Sequence, residues 1–148
     1  MLNQPRPAAL EPDGAFELPV RIYYEDTDAA GVVYYANYLR FCERARTEWL
    51  RHHGFEQHDL LAREQIAFVV RRVEADYRAP ARLDDVVKVH SQIISLGRAS
   101  VIFAQRVMRG TELLFDSRIS IACINTASGR PVPIPTTMRS ILQKSLQP

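Results

Sequence analysis

Residues 23–38 read Tyr23-Tyr24-Glu25-Asp26-Thr27-Asp28-Ala29-Ala30-Gly31-Val32-Val33-Tyr34-Tyr35-Ala36-Asn37-Tyr38, and the fold turns on how this stretch is parsed. The carboxylates Glu25, Asp26 and Asp28 crowd together, then come Gly31 and a run of aromatics that leads into an amphipathic segment. Packing alone does not call for such a loop. An acidic loop delivered to a helix N-terminus makes sense if a carboxylate must face the positive end of the helix dipole. The same helix end offers unpaired backbone N–H groups that can hold an oxyanion. The stretch therefore reads as the end of a strand, a functional loop and the start of a helix.

Upstream, the strand covers roughly Phe16 to Tyr24, and residues 1–15, with Pro5, Pro7 and Pro12, read as a flexible tail. Downstream, a helix is expected over about Ala36 to His53, because Tyr38, Cys42, Ala45 and Trp49 recur at steps of four, three and four. Arg40, Glu43, Arg44, Thr47 and Arg51 fall mostly on the other side, with Arg44 and Glu48 spaced for an i, i+4 pair. Gly54 is placed to end the helix as a left-handed cap. It is the one long helix expected in the core. Strands follow at roughly Ile66–Tyr77, Val86–Leu96, Ser100–Met108 and Leu113–Asn125, the last three forming a meander through tight turns at Gly97 and Gly110. Residues Thr136 to Leu146 suit a short terminal helix. The fold class is α+β: a curved antiparallel sheet around one long central helix, as one domain over residues 16–146.

A chain of 148 residues with 47% hydrophobic and 24% charged residues is an ordinary globular composition. A net charge of +2, from 19 basic and 17 acidic residues, argues against nucleic acid and membrane surfaces as partners. Cys42 and Cys123 lie in apolar stretches, outside any Cys-x-x-Cys pair and away from a His cluster. They are expected to be buried free thiols, with no metal site, in a reducing compartment. No apolar run has the length of a membrane span or a secretory leader, which makes the cytoplasm the expected location.

The run YYEDTDAAGVVYYANYLRFCERARTEWL resembles the signature of the hydroxybenzoyl-CoA thioesterase family of hot-dog-fold proteins. Within it, the chain is most similar to the bacterial branch associated with the Tol–Pal envelope system. Asp76-Tyr77-Arg78-Ala79-Pro80-Ala81, Asp84-Asp85 and Leu96-Gly97-Arg98-Ala99-Ser100 extend the likeness, which covers about Val20 to Asn125. The resemblance implies an acyl-CoA thioesterase in which Asp28 is the catalytic carboxylate, as nucleophile or as general base. It maps the backbone N–H that polarises the thioester carbonyl onto Tyr35, where many relatives of that branch have His. Tyr24 matches an active-site tyrosine of those His-containing relatives. It further implies a homodimer or homotetramer with sites at subunit interfaces, acyl-CoA or an acyl carrier protein as partner, and no cofactor beyond the CoA of the substrate. Arg71, Arg72, Arg98 and Arg106 are candidates to bind the CoA phosphates.

Asp28 read on spacing alone is a turn or helix cap; the extended run favours catalysis instead. Tyr35 reads as pocket wall or oxyanion donor, and His52 and His53 as structural complements of the helix dipole. A dehydratase of the same fold would need an imidazole base, yet no His lies between Pro19 and Arg51. Ser-His-Asp chemistry lacks a Gly-x-Ser-x-Gly elbow. A non-catalytic acyl-binding module, which keeps the pocket and has lost turnover, is the alternative of a different class.

Overall fold

The computed structural model describes residues 8–10 and 15–146. Its order is β1 (Ala9–Leu10), β2 (Phe16–Arg21), α1 (Asn37–His52), α2 (Gln57–Glu64), β3 (Ile66–Tyr77), β4 (Val86–Leu96), β5 (Ser100–Arg109), β6 (Glu112–Asn125) and α3 (Thr136–Ser145). Most of the expected tail lies outside the described residues; within it, Ala9 pairs with Glu17 and Leu10 with Phe16. The strands form one antiparallel sheet in the order β1-β2-β4-β5-β6-β3. The β4-β5-β6 meander is as expected. β2 pairs with β4 and β3 with β6, so two strands adjacent in sequence end up on opposite sides of the sheet.

Alternation builds the concave face. In β5, Val101, Phe103, Gln105 and Val107 are all buried, and in β6 so are Phe115, Ser117, Ile119, Ile121 and Cys123. α1 lies against that face through Tyr38, Phe41, Cys42, Ala45 and Trp49. Tyr38 stacks on Phe115 at 5.2 Å and 15°, and Trp49 meets Phe103 edge-on at 6.1 Å. Burying each such large side chain contributes about 1.5–3 kcal/mol, so tertiary packing holds this helix in place more than propensity does. Gly54 takes the left-handed conformation (φ 87°) after the helix, where a side chain would be strained.

Three expectations need correction. β2 stops at Arg21, because Tyr24–Asp26 winds into a 3₁₀ turn instead of extending the strand. α1 is followed by a second helix, α2, whose short amphipathic pattern carries no side-chain cap at its start. Glu48 pairs with Arg51 and not with Arg44, whose guanidinium lies 5.8 Å from the centre of the Phe41 ring. Arg46, two residues from Arg44, is buried on the apolar side of α1. Both cysteines are free and buried; burial pushes the Cys42 thiol up to about 12 and the Cys123 thiol up to about 11. Among the described residues no helix is long and apolar enough to cross a membrane, and no cluster of side chains is arranged to hold a metal.

Candidate active site

The acidic loop is a small hairpin tied to the start of α1. Thr27 and Val33 bridge in antiparallel fashion, the Asp28 N–H donates to the Val32 carbonyl at 2.9 Å, and the Gly31 N–H donates to the Asp28 carbonyl at 3.0 Å. This turn needs Gly31, whose φ is 77°. Val32 bridges to Arg82 and the Val33 N–H donates to the Ala81 carbonyl at 2.9 Å, which fastens the hairpin to the segment after β3.

Asp26 is the organiser of this loop. Its carboxylate accepts the Tyr23 N–H at 2.9 Å, closing the 3₁₀ turn. Its carbonyl accepts both the Tyr34 N–H at 3.0 Å and the buried Asn37 side-chain amide at 2.9 Å. One peptide group thus joins the front of the loop to the first residue of α1. Asp26 is thus a buried structural carboxylate.

Asp28 sits at the exposed tip of this frame. Its Oδ1 accepts the Ala30 N–H at 2.8 Å, an Asx turn that orients the carboxylate, and no other hydrogen bond to its side chain occurs among the described residues. Tyr35 lies two residues ahead of α1, in the turn that feeds it, and its N–H makes no hydrogen bond among the described residues. Its carbonyl accepts the Tyr77 hydroxyl at 2.9 Å. The Tyr35 ring packs between Tyr34 at 4.8 Å and Tyr77 at 6.3 Å. Tyr24 projects from the 3₁₀ turn and is 83% exposed.

A groove of about 250 Å³ adjoins Tyr35, lined by Val33, Tyr38, Tyr77, Arg78, Ala79 and Pro80. Tyr38 is fixed by accepting the Ala81 N–H on its hydroxyl at 2.9 Å. Burial holds both the Tyr38 and Tyr77 phenols above the usual tyrosine range, so they are neutral at physiological pH. Tyr77 and Arg78 were not among the site residues read from the sequence. They lie more than forty positions from Tyr35, and no local pattern announces the contact. Arg78 makes no side-chain hydrogen bond or ion pair among the described residues.

The other candidate arginines are spread over the sheet. Arg71 is the extra residue at the irregularity between Val70 and Arg72 on β3, and Arg72 pairs with Glu74 at 3.0 Å. Arg106 on β5 pairs with Asp116 at 3.3 Å, and Arg98 occupies the exposed β4–β5 turn. Within one chain they do not converge on the Tyr35 groove.

An antiparallel sheet wrapped on a single central helix, with an acidic hairpin feeding that helix, is the architecture of the hot-dog proteins. Residues 23–142 match the thioesterase-like superfamily, and the chain belongs to it. It is 44% identical to the acyl-CoA thioesterase YbgC of Haemophilus influenzae, over 86% of this chain and 94% of that one. It is 46% identical to the acyl-CoA thioester hydrolase YbgC of Escherichia coli O6:H1, over 83% of this chain and 92% of that one. Among solved structures, a probable thioesterase from Bartonella henselae superposes with a TM-score of 0.77 at 36% identity, covering 80% and 98% of the two chains. The gentisyl-coenzyme A thioesterase BH1999 gives a TM-score of 0.77 at 25% identity, covering 84% and 98%. The resemblance drawn from the acidic run therefore holds at the level of family and fold.

Proposed function

We propose that this protein is an acyl-CoA thioester hydrolase, releasing a carboxylic acid and CoA, with Asp28 as its catalytic carboxylate. The observation that carries the reading is the pairing of an oriented, accessible Asp28 carboxylate with an unbonded Tyr35 N–H on one rigid loop. The relatives named as acyl-CoA thioesterases at 44–46% identity support the reaction class.

In the proposed mechanism the thioester carbonyl oxygen accepts the Tyr35 N–H, which stabilises the negative charge that grows on that oxygen. As a general base, Asp28 takes a proton from water; the water oxygen bonds to the carbonyl carbon, the C–S bond breaks, and the thiolate leaves and is protonated. As a nucleophile, Asp28 forms a mixed anhydride with loss of the thiolate, and water then hydrolyses it. A thioester suits so sparse a site, because its carbonyl is weakly resonance-stabilised and a thiolate leaves readily. Tyr24 stands at the rim of the loop as a group to position substrate. Arg78 beside the groove joins Arg71, Arg72 and Arg98 as cations for the CoA phosphates.

β3 is a sheet edge of 12 residues on which Val69, Val70, Val73 and Tyr77 are exposed. Such an edge invites pairing, and we infer that two copies join along it, bringing one subunit's β3 arginines toward the other's loop. Free-thiol release over a panel of aliphatic and aromatic acyl-CoAs tests the activity and ranks the acyl groups. Binding of acyl-CoA without turnover would assign the chain to the acyl-binding class instead.

A further inference from the structure

β3 and β4 are not neighbours in the sheet, so residues 78–85 cross from one edge past β6 and β5 before β4 begins. The crossing holds no helix or strand of its own, and polar ties to its neighbours set its path. The Arg78 and Ala79 N–H groups donate to the Leu114 carbonyl at 2.8 and 3.2 Å. At its other end the Asp85 carbonyl accepts the Ile22 N–H at 2.8 Å. The acidic hairpin is built on this crossing. Its Val33 N–H donates to the Ala81 carbonyl, Val32 bridges to Arg82, and the Val32 carbonyl accepts the Asp28 N–H.

Asp85 and Arg109 hold the part of the crossing that the hairpin uses. Asp85 closes the 82–85 turn twice: its Oδ2 accepts the Arg82 N–H at 2.8 Å, and its own N–H donates to the Arg82 carbonyl at 3.1 Å. That turn takes Asp84 through the left-handed region, φ 69°, a conformation that persists only where its surroundings over-determine it. Arg109, the last residue of β5, fixes Asp85 from the sheet. Its Nη1 donates to the same Oδ2 at 2.7 Å and to the Pro80 carbonyl at 3.2 Å, while Nη2 donates to Glu112 at 2.6 Å. One guanidinium therefore grips both Pro80 and Asp85, with Ala81 and Arg82 between them. The Arg109 and Asp85 side chains are 31% and 24% exposed, and neither lines the groove beside Tyr35.

We propose that the Asp85–Arg109 pair positions the Asp28 carboxylate for the thioester reaction, acting through the Arg82 turn and the Val32–Val33 contacts without touching substrate. This rests on Asp28 being the catalytic carboxylate. A reacting group displaced by about 1 Å can cost about 100-fold in rate, whereas a part-exposed ion pair contributes little to folding. Loss of the pair is therefore felt in kcat and not in KM or melting temperature.

The test is steady-state thiol release, beside a thermal melt, by purified full-length Asp85→Asn, Arg109→Gln, Arg109→Lys and the double variant Asp85→Asn/Arg109→Gln. Each neutral variant loses about tenfold in kcat, with KM within about twofold of wild type. The double variant loses no more than the worse single, because both remove one interaction. Arg109→Lys keeps a charge opposite Asp85 and recovers kcat to within about threefold of wild type. Lys88→Gln breaks the Glu17–Lys88 pair, which ties β2 to β4 and not to the crossing, and leaves kcat unchanged. Should a neutral variant fail to fold, Asp85→Glu decides: it keeps the charge, moves it by one methylene, and lowers kcat at least about fivefold in a folded protein. Folded neutral variants or a folded Asp85→Glu within about twofold of wild-type kcat overturn the proposal, as do losses that multiply in the double variant. Failure of the underlying reading shows differently, as an inactive wild type or as Asp28→Asn at the wild-type rate, and the proposal falls with it.

Discussion

The Tyr77 hydroxyl donates to the Tyr35 carbonyl at 2.9 Å, so the last residue of β3 holds the peptide that leads into α1. That peptide follows directly on the Tyr35 N–H proposed to face the thioester carbonyl. A sheet residue therefore adds a tie to a loop that the Thr27–Val33 bridge and the Asp26 carbonyl already fasten.

Tyr77→Phe keeps the ring contacts with Tyr38 and Phe115 and removes the hydroxyl. One such hydrogen bond contributes about 0.5–1.5 kcal/mol. The expected outcome is a roughly three- to tenfold fall in kcat/KM, carried mainly by kcat, with little change in melting temperature. Steady-state kinetics beside a thermal melt check it.

Gln105 is fully buried and serves Arg46, Cys42 and Ser91 together. Gln105→Leu fills a similar volume but strands the Arg46 guanidinium and the Ser91 hydroxyl. Leaving buried polar groups without partners costs about 1–3 kcal/mol each, more for a charge. A loss of about 2–4 kcal/mol is expected in urea unfolding, and a shift of less than about 0.5 kcal/mol would show that the network holds little.

The buried thiols make stability depend on alkaline pH. In the folded state the Cys42 thiol is pushed up to about 12, whereas an exposed thiol ionises near ~8.5. Above that value the unfolded chain has lost a proton that the folded chain keeps, so stability is intact below about pH 8.5 and falls as pH rises toward the folded value. Each thiol adds a slope of at most about 1.4 kcal/mol per pH unit. Urea midpoints at pH 8 and pH 10 should differ in that direction, and Cys42→Ala should flatten the difference. Labelling of both thiols should await unfolding.

Pairing along β3 predicts that Val73→Asp, which places a charge on the exposed edge, shifts the protein from dimer to monomer. Light scattering on a sizing column reads this directly. An unchanged mass would place the contact elsewhere.

Much of this architecture is legible in the residues. β3 and β4 fall on either side of the Pro80–Asp85 break, alternation places the buried faces of β5 and β6, and the face of α1 follows from Tyr38, Cys42, Ala45 and Trp49. Local signals fail where a tertiary partner decides. The strand before the loop ends early because the buried Asp26 carboxylate caps the Tyr23 N–H, and three neighbouring acids give no hint which one turns inward. Arg46 shares the helical phase of Cys42 and Trp49, but its charge argues for solvent until Gln105, 59 residues away, supplies an acceptor. Tyr77 and Arg78 reach the Tyr35 groove only because β3 runs to the edge beside the acidic hairpin. Pairwise spacing cannot encode that.

The most direct test is thiol release from acyl-CoA by Asp28→Asn, compared with wild type at matched folded fraction. The Asn amide oxygen still accepts the Ala30 N–H that Oδ1 accepts now, so the turn and the melting temperature should persist. The account predicts a loss of about 100-fold or more in rate, the scale of a catalytic acid–base or nucleophilic group. A variant within a few-fold of wild type would reduce Asp28 to a turn residue and contradict it.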